Sequence, residues 1–275
     1  MAGTLFVVGT PIGNLGDMSP RAVQAMAQCD FIAAEDTRVT LKLLNHFDIK
    51  KPMVSYYEHN RTQKGSLILD RIISGENCVL VTDAGMPAIS DPGIDLVDLC
   101  HEAGVSVVSV PGPSAIVTAA AISGLDVSRF SFEGFLSVNK PKRRAHLAEL
   151  VTERKTMIFY EAPHKLAASL NDLYETLGDR RIAIIKELTK IHESVERTTL
   201  KEAAGKYDGM KLKGEYVIII EAKKDENESE DIDGIALAKK FVASGMKMND
   251  AAKLAAQESG MKKGDIYKAL TEDKL

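Results

Sequence analysis

The chain has 275 residues, 45% apolar and 27% charged, as in ordinary globular proteins, and it is long enough for one large domain or two modest ones. Its formal net charge of −4 gives no general attraction for nucleic acid, so any such contact needs a local basic patch. Three scattered cysteines, Cys29, Cys78 and Cys100, argue against a disulfide framework or a cysteine-based zinc site and fit a reducing cytoplasm, and neither a signal peptide nor a membrane-spanning run is visible.

Residues 4–8 read as a buried strand that ends in GTPIGNLGD. Ser19-Pro20 marks a helix start, with Ser as N-cap and Pro in the first turn. A strand over 31–35 and helical spacing over 36–47 follow. A strand at 52–58, a helix at 63–75 closed by Gly75, a strand at 78–82, a helix at 92–103 and a strand at 105–110 continue the series. This βαβα rhythm predicts a mostly parallel sheet covered on both faces. A helix rich in small residues follows PGPSA (111–115). An aromatic-rich segment (129–135), a basic loop entering a helix (139–146) and strands at 156–163, 181–189 and 214–222 then predict a second α/β lobe with mixed strands. The expected boundaries are 1–113 and 114–222 for the lobes, 223–234 for a solvated acidic linker, and 235–275 for a small helix-turn-helix-like bundle broken at Gly245 and Gly260.

Three strands of the series stop in Gly/Pro loops: GTPIGNLGD, TDAGMPAISDPG and PGPSA. Such loops at the carboxyl edge of a parallel sheet form a small-ligand cleft. The first is no phosphate cradle, because no Gly-Lys-Ser/Thr follows and Pro11 lacks an amide donor. Asp83 directly follows an apolar strand, where it either caps a turn or faces a ligand; Asp91, before Pro92, reads as a helix cap. Ser114 and the Ala115 amide either cap a helix or bind a polar ligand edge. Glu35, Asp36 and Arg38 end another strand, as an ion pair and cap or as a substrate-facing cluster. His164 alone makes no metal site. Lys140, Lys142, Arg143 and Arg144 are usually a solvated face, but form the one compact basic segment able to hold phosphates.

In order along 4–222, GTPIGNLGD, AAEDTR, SYYEHN, VTDAGMPAISDPG, VPGPSA, EGF, YEAPHK, KELTK and GEYVIIIE resemble the ribosomal RNA small-subunit methyltransferase I family of the tetrapyrrole-methylase-like superfamily. Met86 departs from the Thr common at its position. The resemblance implies a two-lobed α/β, class III methyltransferase with a small C-terminal helical bundle, S-adenosylmethionine in the cleft between the lobes, and a homodimer. It implies methyl transfer to the ribose 2′-hydroxyl of a cytidine in the decoding region of small-subunit rRNA, free or in the 30S subunit. By this likeness the cofactor would touch Pro11, Asp83, Met86, Ser114, Ala115, Ala162 and Leu188, with Gly214 and Glu215 closing the adenine side.

Displacement at a sulfonium methyl needs the acceptor oxygen roughly 3–3.5 Å from the carbon and in line with the sulfur. A base or nearby cation helps the hydroxyl lose its proton; the candidates are Glu35, Asp36, Arg38, His164 and Lys186. Arg21, Arg38, Arg61, Lys140, Lys142, Arg143 and Arg144 could line an RNA-binding face. The alternatives are a methyltransferase of the same fold acting on a tetrapyrrole or another small molecule, and a non-enzymatic nucleic-acid-binding protein using its tail.

Overall fold

The computed structural model describes residues 1–223 and 233–272. Its first sheet is built from β1 (Thr4–Val8), β2 (Phe31–Ala34), β3 (Met53–Ser55), β4 (Cys78–Val81) and β5 (Ser106–Val110), in the order β3-β2-β4-β1-β5, all parallel. The sequence dictates this arrangement. FIAA and CVLV are buried at every position, as central strands covered on both faces must be. Alternate side chains feed two cores. Leu5, Phe31, Leu80, Ile68 and Leu96 fill one face, and Val8, Ile32, Val79, Met26 and Leu44 the other. The helices supplying those residues are α1 (Pro20–Gln28), α2 (Thr37–His46), α3 (Arg61–Ile73) and α4 (Ile94–Glu102).

The connection from β2 runs outward to β3, whereas that from β4 runs the other way, to β5. The carboxyl ends of β2 and β4 therefore flank a topological switch point, where open α/β sheets leave a crevice. Ala34 pairs with Val81 there, so Glu35 and Thr82-Asp83 leave the sheet side by side.

After α5 (Ala115–Ile122) comes a second sheet of β6 (Phe130–Phe135), β7 (Thr156–Glu161), β8 (Arg181–Lys186), β9 (Ser194–Thr199) and β10 (Tyr216–Ile220). Its order is β6-β7-β10-β8-β9; β6 and β7 are parallel and the other pairs antiparallel. The central strand β10, YVIII, is wholly buried. Helices α6 (Lys140–Leu150), α7 (Leu166–Leu177) and α8 (Leu200–Tyr207) cover one face through Leu147, Leu170 and Leu200; α5 supplies Ala119 and Ala120 to the other core.

The structure departs from the sequence expectation in three places. Residues 190–213, given no element, hold β9 and α8. The basic segment 140–144 is the first turn of α6, not a loop; Asn139 caps it by accepting from the Lys142 amide. Asp91 is no cap: α4 starts at Ile94 behind Gly93, because the chain before it turns through positive-φ Gly85, Ala88 and Gly93.

The C-terminal unit contains α9 (Gly234–Ala243), α10 (Met248–Ser259) and α11 (Lys263–Glu272) around Ala238, Ala252, Ala255, Ile266 and Leu270. Gly260 ends α10 in the left-handed conformation that favours glycine. Residues 224–232 of the expected acidic linker lie outside the described residues.

Candidate active site

The three Gly/Pro loops are fastened to one another. Thr10 and Gly85 exchange backbone hydrogen bonds of 2.9 and 3.1 Å, and the Thr10 hydroxyl donates to the Thr82 carbonyl at 3.2 Å. Between the first and third loops the backbones touch: a Cβ on Gly9 or on Gly112 would fall 2.7 Å from the other's Cα. These glycines are there for backbone approach, and the result is a continuous wall.

Four carboxylates gather along it. Glu35 Oε2 accepts from the Thr82 hydroxyl at 2.5 Å and the Asp83 amide at 3.3 Å, leaving Oε1 without a hydrogen-bond partner among the described residues. Asp83 Oδ1 accepts from the Asp36 amide at 3.1 Å. Asp36 in turn caps α2 through the Arg38 amide at 2.8 Å and pairs with the Arg38 guanidinium at 2.6 Å, which lowers its pKa to about 2. Desolvation, and next the charge of Glu35, push the pKa of Asp83 up; the same two causes act on Asp91.

A cavity of ≈ 450 Å³ opens against this wall. The first sheet's loops contribute Ile12, Glu35, Thr82–Met86, Ile89–Asp91 and Ser114–Ile116 to its lining; the second sheet contributes Phe135, Tyr160–Pro163, Ile185, Leu188 and Glu215–Val217. Ser114 occupies the N-cap of α5, yet its side chain makes no capping bond. Glu161 is buried, accepting from the Ala162 amide at 2.8 Å and from the Ser169 hydroxyl. Glu215 is held by Lys190 at 2.7 Å. The loop carrying Leu188 has Glu187 and Thr189 at φ +53° and +66°, a left-handed backbone that costs such residues about 1–2 kcal/mol each. Among the described residues the lining contains five acids and no Lys, Arg or His.

Of the residues expected to hold a cofactor, Asp83, Met86, Ser114, Ala115, Ala162, Leu188 and Glu215 line this cavity, whereas Pro11 and Gly214 do not. The Pro11 place is taken by its neighbour Ile12. Gly214 instead packs on Glu187: a Cβ there would lie 2.8 Å from Glu187 Oε1. Of the five catalytic candidates only Glu35 lines the cavity. Asp36 and Arg38 form a pair outside it, the Arg38 side chain 87% exposed. His164 is exposed on the chain after β7, and Lys186 Nζ lies 6.0 Å from the Tyr216 ring. Asp91 was missed; its nearness to Glu35 is set by tertiary structure.

The basic candidates separate likewise. Arg143, its side chain only 13% exposed, bonds Asp172 and, at 3.2 Å, the Ser169 hydroxyl, so it ties α6 to α7. Arg61 pairs with Asp95 at 3.0 Å and Glu58 at 3.3 Å, and Arg21 donates to the Ser109 carbonyl at 2.5 Å. Lys140, Lys142 and Arg144 are exposed.

Residues 4–204 match the family model of Tetrapyrrole (Corrin/Porphyrin) Methylases. The chain is 44% identical over 270 residues to ribosomal RNA small subunit methyltransferase I of Halalkalibacterium halodurans, covering 96% of this chain and 93% of that protein. It is 41% identical to the protein of the same name from Escherichia coli O157:H7, covering 98% and 95%. Among solved structures, uroporphyrin-III-C-methyltransferase from Thermus thermophilus superposes with a TM-score of 0.57 at 16% identity, over 80% of this chain and 94% of that one. A cobalt precorrin-4 methyltransferase of cobalamin biosynthesis gives 0.59 at 17% identity, over 79% and 94%. These structures share the two-lobed fold. With near-full-length relatives well above the level at which common descent is secure, the chain belongs to the ribosomal RNA small subunit methyltransferase I family of the tetrapyrrole methylases.

Proposed function

We propose that the chain transfers the methyl group of S-adenosylmethionine to the ribose 2′-hydroxyl of a cytidine in the decoding region of small-subunit rRNA. The acceptor is carried by the relatives named ribosomal RNA small subunit methyltransferase I, and the cofactor by the charge of the cavity, whose lining among the described residues holds five acids and no basic side chain. Nucleotide phosphates would be repelled there. A ligand of net positive charge fits, its sulfonium and ammonium outweighing its single carboxylate, and the apolar side chains of Ile12, Met86, Ile116 and Leu188 suit its adenine.

Asp83 would hold the cofactor's positive end, with the Ser114 hydroxyl and the Ala115 and Ala162 backbone binding its polar edges. Bound there, S-adenosylmethionine supplies an electrophilic methyl carbon. Glu35 would receive the hydroxyl's proton: it alone of the five candidates lines the cavity, and its Oε1 has no hydrogen-bond partner among the described residues. The joined loops hold these groups in advance, and such positioning is where most of the acceleration of a displacement comes from. A homodimer would cover exposed apolar side chains such as Val108 of the edge strand β5 and Val117 of α5.

The test is to map ribose methylation on small-subunit rRNA from cells with and without the protein, and with the Glu35→Gln variant. One cytidine should lose its 2′-methyl group in the deletion, and the variant should restore it at least a hundredfold more slowly than the wild type. An unchanged methylation map would reject the function, and cofactor binding by calorimetry would then separate a small-molecule methyltransferase from a non-enzymatic nucleic-acid-binding protein.

A further inference from the structure

We infer that the RNA backbone runs along one rim of the second sheet, over cations that come from three separate segments. This deepens the RNA-methylating function proposed above and rests on it. The strand register sets the geometry. Phe135 pairs with Tyr160, and Tyr216 pairs with both Glu161 and Lys186. The chain leaving β6, β7 and β8 and the chain entering β10 therefore all cross the same edge. Four adjacent strands at 4.7–4.9 Å spacing make this rim about 15 Å long.

Cations follow the edge. Just beyond β6, the first turn of α6 carries Lys140, Lys142 and Arg144; just beyond β7 comes Lys165; just before β10 come Lys211 and Lys213. None of the six has a carboxylate within ion-pair distance among the described residues. All but the half-buried Lys165 are exposed. The acids of the same edge are differently placed. Glu161 is buried, Glu187 and Glu215 are both held by Lys190 at 3.0 and 2.7 Å, and Glu193 accepts from the Thr189 amide at 2.6 Å. Counting Lys186 and Lys190, the edge carries eight cations against Glu161, Glu187, Glu193, Asp208 and Glu215, so it is net positive on a chain whose net charge is −4.

The same edge lines the cavity through Phe135, Tyr160, Ala162 and Tyr216. Phosphates bound along the rim would bring one nucleotide over the cavity mouth, where its ribose can reach Glu35. Positive charge outside the cavity and negative charge inside it sort the two substrates: polyanion at the rim, cation within.

The experiment measures binding to small ribosomal subunits from cells lacking the protein, between about 50 and 200 mM salt. It compares the wild type with the Lys165→Ala/Lys211→Ala/Lys213→Ala variant and with a Lys211→Glu/Lys213→Glu variant confined to the exposed loop. Each lost phosphate contact takes about 0.7–0.9 from the slope of log affinity against log salt. The triple variant should lose about 2 from the slope and at least tenfold in affinity at low salt, with cofactor affinity by calorimetry within about twofold of wild type. The charge-reversed variant should bind more weakly still, and retained cofactor affinity certifies its fold. An unchanged slope in both variants, with wild-type binding intact, overturns the rim. A wild-type chain that neither binds the subunit nor methylates its rRNA overturns the proposed function instead.

Discussion

Asp91 and Asp83 show what a ligand site costs at the level of single residues. Each has its carboxyl pKa raised, first by desolvation and then by Glu35. Below the ordinary aspartate value of about 3.9 both folded and unfolded chains are protonated there, and the groups are neutral in stability. As pH rises past that value, the unfolded chain releases its protons first, so each carboxyl makes the fold progressively less stable until its raised folded pKa is passed. Asp91→Asn should therefore match the wild type in Tm below the ordinary aspartate value, exceed it by an amount that grows as pH rises through the window between the two pKa values, and keep a constant excess above it. A pH series of calorimetric melts checks this, and a difference independent of pH would place the cause elsewhere. Asp83→Ala, at an exposed position, should change the Tm little, while abolishing S-adenosylmethionine binding in a titration. Retained affinity would move the cofactor's positive end away from Asp83. A protein that loses binding but not stability is the signature of charge kept for a ligand.

Helices α6 and α7 make the same point for elements. Arg143 bonds Asp172 and the Ser169 hydroxyl, and Ser169 donates to buried Glu161 beside the cavity residue Ala162. Arg143→Ala removes charged hydrogen bonds from a largely covered site and should cost about 1.5–3 kcal/mol in urea unfolding. It should leave the salt slope of RNA binding within error of wild type, whereas Lys142→Ala/Arg144→Ala should lower the slope by about 1.5 with little effect on stability. The sequence reading grouped Lys140, Lys142, Arg143 and Arg144 as one basic segment but could not see Asp172, 29 residues from Arg143 in the chain, which ties that one side chain to α7. The same limit explains Asp91, whose neighbours Glu35 and Thr82 are brought to it by the sheet order. What was legible follows from burial: FIAA, CVLV and YVIII are continuous apolar runs, and the three Gly/Pro loops announce strand ends. By contrast β9, SVERTT, is an edge strand with mostly exposed or half-exposed side chains, and the eight-residue α8 contains a glycine, so neither carries a strong periodic signal. Cavity residues such as Asp83 and Ser114 were found because they stand next to strand ends. Ile12 stands one place from the expected Pro11, and no sequence pattern distinguishes which of two loop neighbours turns inward.

Across the whole molecule, the net charge of −4 conceals two opposite local fields, and ionic strength should separate them. Around 0.15 M salt the Debye length is about 8 Å. Exposed cations such as Lys142, Arg144, Lys211 and Lys213 act on phosphates through solvent, and RNA binding there releases condensed counterions. Exposed Asp83 and half-buried Glu35 act instead on a cofactor at contact distance, where screening is weaker than between the rim and phosphates held through solvent. With six rim contacts, raising salt from about 50 to 200 mM should weaken RNA binding by roughly two to three powers of ten. Over the same range cofactor affinity should change by no more than about twofold. Turnover at saturating RNA should then be nearly independent of salt, while kcat/KM for RNA falls in step with binding. Calorimetric cofactor titrations and steady-state methylation at four salt concentrations measure all three. If cofactor affinity fell in parallel with RNA affinity, the cavity would be an open electrostatic surface like the rim, and the division of cation inside from polyanion outside would be lost.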